Sequence, residues 1–113
     1  MHEMALCESI LQLIAEQARA QCFSRVRTVC LEIGSLAAVE IPALRFGFDV
    51  VTRGSLAEGA RLEIVTKAGR AWCMPCGTQV PLAQRGDACP QCGSHQLQVV
   101  QGDEMRVTEI EIA

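Results

Sequence analysis

The sequence predicts an α+β protein, in which a small mixed sheet with two helices carries an inserted cysteine-bearing module. Three observations lead to this prediction: two stretches with helical apolar spacing, three β-rich stretches, and two CxxC pairs before the last of these. The final β-rich stretch has no companion beyond the cysteines, so it most simply returns to the first sheet. The helix-and-sheet domain is therefore expected to comprise residues 1–67 and 102–113, and the module residues 68–101.

Each predicted helix has an apolar stripe that recurs at steps of three and four residues. In the first, which begins almost at the first residue, the stripe consists of Met4, Cys7, Leu11, Ile14 and Ala18. In the second, it consists of Ile41, Leu44, Phe48 and Val51. Pro42 suits the first turn of this second helix and Gly54 suits its end. Gly47 costs about 1 kcal/mol relative to Ala inside a helix, which predicts close packing at that position.

The three β-rich stretches of the predicted sheet lie around the second helix and after the cysteines. They are Val26–Ile33, Arg61–Thr66 and Met105–Ile112. The first ends at Gly34-Ser35, and the alternation of the third is disturbed around Thr108. A further short strand is expected within the module at residues 96–100. This order, in which helices and strands are mixed around one inserted segment, favours an α+β fold.

Two CxxC pairs, formed by Cys73 and Cys76 and by Cys89 and Cys92, are separated by twelve residues. Each pair places two sulfurs on a tight turn, and a glycine follows each pair, where a positive φ lets the turn close. Two such turns facing each other suit Zn²⁺, which accepts a tetrahedral cage of four thiolates. We therefore predict a zinc-ribbon-like module with a structural Zn²⁺. A redox dithiol pair or buried free thiols are the alternatives.

Three further cysteines and one histidine could enlarge this site or form another. Cys7 lies on the helical stripe and Cys30 in a strand, where a free cysteine packs as a small hydrophobe. Cys22 is expected to be an exposed thiol. His95 lies three residues after Cys92 and could replace a zinc thiolate, although a solvent-exposed loop histidine is the favoured interpretation.

Composition and charge exclude several classes of function. With 10 Lys and Arg against 13 Asp and Glu, the chain has a net charge of −3, which argues against general nucleic-acid binding. Its start lacks the basic and apolar segments of a signal peptide, and no apolar run approaches the ~20 residues of a membrane span. Seven cysteines, four of them suited to a metal, fit the reducing cytoplasm. We therefore expect a cytoplasmic protein.

The first residues are a second place where metal chemistry is possible. A polar pair before a helix, with Glu3 favoured by the helix dipole, is the simple interpretation of His2 and Glu3. The alternative is chelation, because the terminal amine of Met1, an amide nitrogen and the His2 imidazole can form fused rings around Ni²⁺ or Cu²⁺.

The succession of motifs along the whole chain resembles the HypA/HybF family of nickel metallochaperones for [NiFe]-hydrogenase maturation. The resemblance is carried by Met1-His2-Glu3-Met4 opening a helix, Leu31–Leu36, Phe46–Val51, and the two CxxC pairs with Cys89–Ser94. It implies that residues 1–67 and 102–113 form a nickel-binding domain. His2 would be the main nickel-binding side chain, with Met1, Glu3 and Glu40 as supporting groups.

The resemblance also implies partners and a mode of action. The protein would carry Ni(II) as transported cargo, keep Zn(II) as a structural cofactor, and have no catalytic residues. Its partners would be a HypB-type GTPase and the hydrogenase large-subunit precursor, with urease accessory proteins as further candidates, and neither nucleic acid nor membrane. The sequence leaves open whether the protein is a monomer or a homodimer.

Two other classes of function are alternatives to a nickel carrier. A zinc-ribbon regulatory or transcription-associated module predicts basic fingers, whereas residues 68–101 contain Arg70 and Arg85 but no lysine. An enzyme predicts a recognisable catalytic motif. The sequence contains no GxxxxGK loop and no HExxH, and it has only two histidines.

Overall fold

The computed structural model describes residues 2–113, and within this range it contains two helices and six strands. In chain order they are α1 (His2–Gln21), β1 (Val26–Gly34), α2 (Ile41–Val51), β2 (Arg61–Lys67), β3 (Arg70–Cys73), β4 (Thr78–Pro81), β5 (Leu97–Gln101) and β6 (Met105–Ile112). Neither helix of this range combines the length and the apolarity that crossing a membrane requires. The mixture of helices and small sheets confirms the predicted α+β class.

The described chain divides into two compact units. The helical unit contains residues 2–31, 39–63 and 107–113, and the cysteine unit contains Glu32–Ala38 and Ile64–Arg106. The cysteine unit thus includes residues 32–38, 64–67 and 102–106, which the sequence pattern assigns to the helix-and-sheet domain. Compactness does not test which segments fold independently, so the domain boundaries at residues 67/68 and 101/102 stay a prediction.

Helix α1 forms because its apolar residues recur on one face. Cys7, Ile10 and Ile14 lie three and four residues apart and are all buried. Acidic Glu3 occupies the first turn and Arg19 the last, which suits the helix dipole at both ends. The helix ends where Cys22 adopts a left-handed conformation with φ of 58°. This is the conformation that commonly terminates helices.

Helix α2 packs against α1 at a glycine, as the sequence predicts. A Cβ atom at Gly47 would lie 3.0 Å from the Met4 sulfur and 3.1 Å from the Cys7 sulfur. The missing side chain therefore lets the two helices approach closely. Pro42 lies in the first turn, where its missing N–H has no intrahelical partner to lose.

The first sheet has the strand order β2-β1-β6. The last strand of the chain therefore returns to the first sheet, which confirms the prediction made from the sequence. Within the helical unit, β1 contributes Val29 and Leu31, both completely buried. The rest of this core is mainly aliphatic and includes a single aromatic ring: Cys7, Ile10, Ile14, Val26, Leu44, Phe48, Ala57 and Leu62.

The cysteine unit contains the second sheet, with the antiparallel order β4-β3-β5. The sequence pattern indicates β5 but not β3 and β4, which are only four residues each. Alternation along β3 buries Ala71 and Cys73 on one face and leaves Trp72 exposed on the other. A small cluster of Leu36, Ala71 and Leu82 forms the core at one end of this sheet.

Three glycines let backbone segments of the cysteine unit cross in close contact. A Cβ atom at Gly34 would overlap the carbonyl oxygen of Gly102, and one at Gly102 would lie 2.7 Å from the Gly69 Cα. Gly102 also has φ of 90°, which side chains rarely tolerate. The amide of Leu36 donates a hydrogen bond of 2.8 Å to the Gly102 carbonyl. Only glycine fits at this crossing.

Candidate metal centres

Four sulfur atoms converge in the cysteine unit. The Sγ atoms of Cys73, Cys76, Cys89 and Cys92 all lie within 4.8 Å of one another. The Cys73 and Cys92 sulfurs are 3.6 Å apart, and those of Cys76 and Cys89 are 3.9 Å apart. Cys73 and Cys89 are buried, whereas Cys92 is exposed. All seven cysteines of the chain are free, so the four thiols are available as ligands.

The turns around each CxxC pair explain how the sulfurs are oriented. The amide of Gly77 donates to the Cys73 carbonyl at 2.8 Å, and that of Gly93 donates to the Cys89 carbonyl at 2.9 Å. Both glycines have a positive φ, 64° and 77°, as the sequence predicts. No heavy atom lies within 4 Å of a Cβ built at either glycine, so the backbone conformation rather than crowding selects glycine.

Two of the distances between the sulfurs match the separation of ligands in a tetrahedral zinc site. With Zn–S bonds of about 2.3 Å, two ligand sulfurs of a tetrahedron are separated by about 3.8 Å. The two distances given above, 3.6 and 3.9 Å, lie on either side of this value. The four-cysteine cluster therefore fits a structural zinc ion. A site with four protein ligands has no open coordination position, so its role is to hold the fold together.

The four thiols have unequal pKa values, and their local surroundings explain the differences. Burial raises the pKa of Cys73, and the hydrogen bond with the Cys92 thiol raises the pKa of Cys76 to about 12. The backbone N–H of Cys92 lowers the pKa of Cys89 to about 7. Because zinc binds the thiolate form, loading the cluster near neutral pH must release protons, and fewest from Cys89, whose pKa is about 7.

His95 lies outside this cluster. Its side chain is exposed, and the cluster of ligand atoms consists of the four sulfurs alone among residues 2–113. The backbone carbonyl of His95 accepts a hydrogen bond from the Leu97 amide at 2.9 Å, at the start of β5. This agrees with the favoured interpretation of His95 as an exposed loop residue.

At the start of α1, His2 is exposed and Glu3 is half-buried. Met1, whose terminal amine the chelation hypothesis requires, lies outside the described residues. The Glu3 carboxylate accepts a hydrogen bond of 3.2 Å from the backbone N–H of Glu40, the residue that precedes α2. This hydrogen bond is the main cause that lowers the pKa of Glu3. Glu3 and Glu40 are 37 positions apart, and no local sequence pattern reveals such a bond.

The three remaining cysteines behave differently from one another. Cys7 is completely buried, its thiol donates to the Leu44 carbonyl at 3.3 Å, and burial raises its pKa. Cys22 is exposed, as expected. Cys30 is only half-buried, and its thiol donates to the Glu63 carboxylate at 3.8 Å. The expectation of core packing is therefore confirmed for Cys7 and only partly met by Cys30.

Comparison with known proteins connects these features. A family model described as "Hydrogenase/urease nickel incorporation, metallochaperone, hypA" matches residues 1–112. The chain belongs to the HypA family. The hydrogenase maturation factor HypA of Azotobacter vinelandii is 64% identical over 112 residues, 99% of each chain. That of Acidithiobacillus ferrooxidans is 61% identical over the same share of both chains. The resemblance seen in the sequence is thereby confirmed.

Solved structures of HypA proteins share the fold. The solution structure of the Ni metallochaperone HypA from Helicobacter pylori aligns with a TM-score of 0.73 and 26% identity, covering 97% of this chain and 96% of that one. A second solution structure of a HypA protein aligns with a TM-score of 0.74, also at 26% identity, covering 100% of this chain and 97% of that one. Because the HypA family is described as a nickel-incorporation metallochaperone family, the alternative function of a zinc-ribbon regulatory module is not favoured.

Proposed function

We propose that this protein binds Ni²⁺ at its amino terminus through His2 and delivers it for the maturation of [NiFe] hydrogenase, while a Zn²⁺ held by four cysteines stabilises the cysteine unit. The observation that carries the proposal is the exposed position of His2 at the start of α1, in a chain that matches the HypA family over residues 1–112. An exposed imidazole can take up an ion and release it again, which a carrier requires.

The backbone at the start of α1 supports binding by nitrogen atoms. The first four N–H groups of a helix have no intrahelical acceptor. The amides of His2 and Glu3 lie in this first turn, so metal binding there breaks no hydrogen bond of the helix ladder. Together with the terminal amine of Met1 and the His2 imidazole, amide nitrogens make a planar set that suits Ni²⁺.

Glu3 and Glu40 support the site in different ways. The Glu3 carboxylate accepts the N–H of Glu40, so Glu3 ties the start of α1 to the residue that precedes α2. The Glu40 side chain is exposed and forms no capping hydrogen bond with α2. We therefore assign Glu3 to positioning the amino terminus, and we assign the Glu40 carboxylate to oxygen ligation of nickel in a six-coordinate state.

The proposal extends to the cellular partners of the carrier. A HypB-type GTPase and the hydrogenase large-subunit precursor are the proposed partners, with urease accessory proteins as a further destination suggested by the description of the family. A reducing compartment such as the cytoplasm keeps the four zinc thiols available. The carrier has no catalytic role in this scheme. Its function is to bind nickel and to release it to the next protein.

Nickel titration of protein with a free amino terminus, followed by calorimetry and absorption spectroscopy, tests the proposal. We expect His2→Ala to weaken nickel binding at least about tenfold, because a primary ligand is lost. An amino-terminal tag should do the same, since it converts the terminal amine into an amide. Binding should also weaken as the pH falls, because the nitrogen ligands must be deprotonated.

A tag after Ala113 and the variant His95→Ala are the matched controls, and neither should change nickel affinity. Zinc content measured by elemental analysis should stay at about one ion per chain in every variant, because a structural site requires only its four thiolates. If an amino-terminally extended protein binds nickel as tightly as the free-amine form, chelation by the terminus is wrong. If His2→Ala also keeps full affinity, the nickel site lies elsewhere.

A further inference from the structure

We propose that the free edge of β6, in the helical unit, binds an extended basic and apolar segment of a partner protein by strand addition. The proposal goes beyond nickel binding and does not depend on it. The first observation is the position of β6 in its sheet. In the order β2-β1-β6, β6 pairs on one side only. An edge strand presents a row of backbone donors and acceptors on its other side, which an extended peptide can satisfy.

The second observation is an apolar groove beside this edge. It has a volume of about 340 Å³ and lies between α1 and β6. Leu13 of α1 is 41% exposed and Ile112 of β6 is 47% exposed, and both line the groove with Val107 and Phe23. Alternate side chains of an added strand point to the same face of the sheet. One of these faces would therefore bring apolar side chains into the groove.

The opposite edge of the sheet lacks these features. Strand β2 carries charges of both signs at Arg61, Glu63 and Lys67. The Arg45 guanidinium of α2 donates a hydrogen bond to the Leu62 carbonyl at 2.7 Å, so one backbone acceptor of β2 already has a side-chain partner. Val65 is 64% exposed, but one exposed apolar side chain does not make β2 a comparable surface.

Charge identifies the occupant of the β6 edge. Residues 107–112 contain Glu109 and Glu111 but no cation, and Glu109 lines the groove. The one basic residue of β6, Arg106, donates to Glu32 at 3.2 Å. A second copy of β6 would bring carboxylates near carboxylates, which is unfavourable between neighbouring strands. A partner strand that alternates lysine or arginine with apolar residues is instead complementary to the edge.

Amide NMR of the zinc-loaded full chain, titrated with two blocked octapeptides, tests the proposal. The basic probe is Lys-Val-Thr-Val-Lys-Val-Thr-Val, and the acidic probe has glutamate in place of lysine. We expect shifts at residues 107–112 and at Leu13 with the basic probe, and an affinity at least about tenfold above that of the acidic probe at low salt. The affinity for the basic probe should fall as salt is added.

Leu13→Lys places a charge in the groove and should weaken binding of the basic probe at least about tenfold. The matched control is Val65→Lys on the opposite edge, which should leave binding unchanged. Glu109→Lys should reverse the preference between the two probes. The absence of shifts at about 1 mM probe, or equal shifts along β2, would overturn the proposal. So would a concentration-dependent dimer that Leu13→Lys abolishes, because the occupant would then be a second copy.

Discussion

The helical unit and the cysteine unit differ in what their interiors contain. The helical unit buries large aliphatic side chains, among which Ile14, Leu31 and Leu44 are completely inaccessible. In the cysteine unit, the largest side chain with no exposed surface is Val80, and it packs with Cys73 and Cys89. Completely burying an aliphatic side chain contributes about 1.5–3 kcal/mol. Beyond alanine, the helical unit contains four aliphatic side chains with no exposed surface, Ile14, Val29, Leu31 and Leu44, whereas the cysteine unit contains one, Val80.

Metal binding supplies what the cysteine unit lacks. A structural zinc site contributes about 10–16 kcal/mol of apparent binding free energy at neutral pH. It adds to the apolar burial in the small clusters around Ala71 and Val80. The two units of this chain are thus stabilised by different means, so changes in each unit should have separable consequences.

The largest effect is expected from Cys73→Ser, which removes a buried zinc ligand. Zinc content by elemental analysis should fall from about one ion per chain to nearly none, because three thiolates bind far more weakly than four. Amide signals of Arg70–Gln101 should collapse towards unfolded positions, while those of the helical unit persist. Cys22→Ser, which removes an exposed thiol, is the control and should change neither. Full zinc content in the Cys73→Ser protein would mean that the metal is held elsewhere.

The converse experiment is Ile14→Ala in the helical unit. Removing this completely buried side chain should destabilise the protein by about 2–5 kcal/mol, since a cavity is left in the core. Denaturant unfolding measures the loss, and zinc content of the folded protein should be unchanged. Leu13→Ala, the half-exposed neighbour, should cost much less. A comparable loss of zinc in the Ile14→Ala protein would show that the two sources of stability are not separable.

The smallest effect is expected at the end of α1. Cys22 has φ of 58°, a conformation that glycine adopts at no steric cost. Cys22→Gly should stabilise the helical unit by about 0.5–1 kcal/mol, after the entropy that glycine adds to the unfolded chain is subtracted. Cys22→Ala removes the same thiol but keeps the strained conformation, so it should bring no gain. Equal stability of the two variants in thermal unfolding would show that strain at residue 22 is negligible.

Much of the fold could be predicted because local patterns determine it. The stripe that contains Cys7 and Ile14 identifies α1, and Gly47, a glycine inside an apolar helix, indicates the close approach of α2. Strands β3 and β4 could not be predicted in the same way. They are four residues long, too short for alternation to be distinguished from a turn, and Cys73 of β3 and Val80 of β4 pack with Cys89, which is distant in sequence.

The cysteine cluster could be predicted from the sequence in more detail than the surroundings of His2. The CxxC spacing predicted four converging sulfurs, and the structure brings those four together. The hydrogen bond from the Glu40 amide to Glu3 depends on how α1 and α2 pack, so no spacing rule could reveal it. The partial exposure of Cys30 could not be predicted either, because a strand residue with apolar neighbours gives no sign of which face it occupies.

The glycine crossing has a consequence for modularity. Gly69 and Gly102 are in backbone contact, so the segment that they enclose starts and finishes at a single point of the unit. Segments with adjacent ends can be excised or exchanged with little strain on what remains. Joining residue 69 directly to residue 102 requires almost no added chain. We therefore expect the thirty-two residues between them, 70–101, to be exchangeable as one cassette between members of the HypA family, together with the four cysteines that they contain.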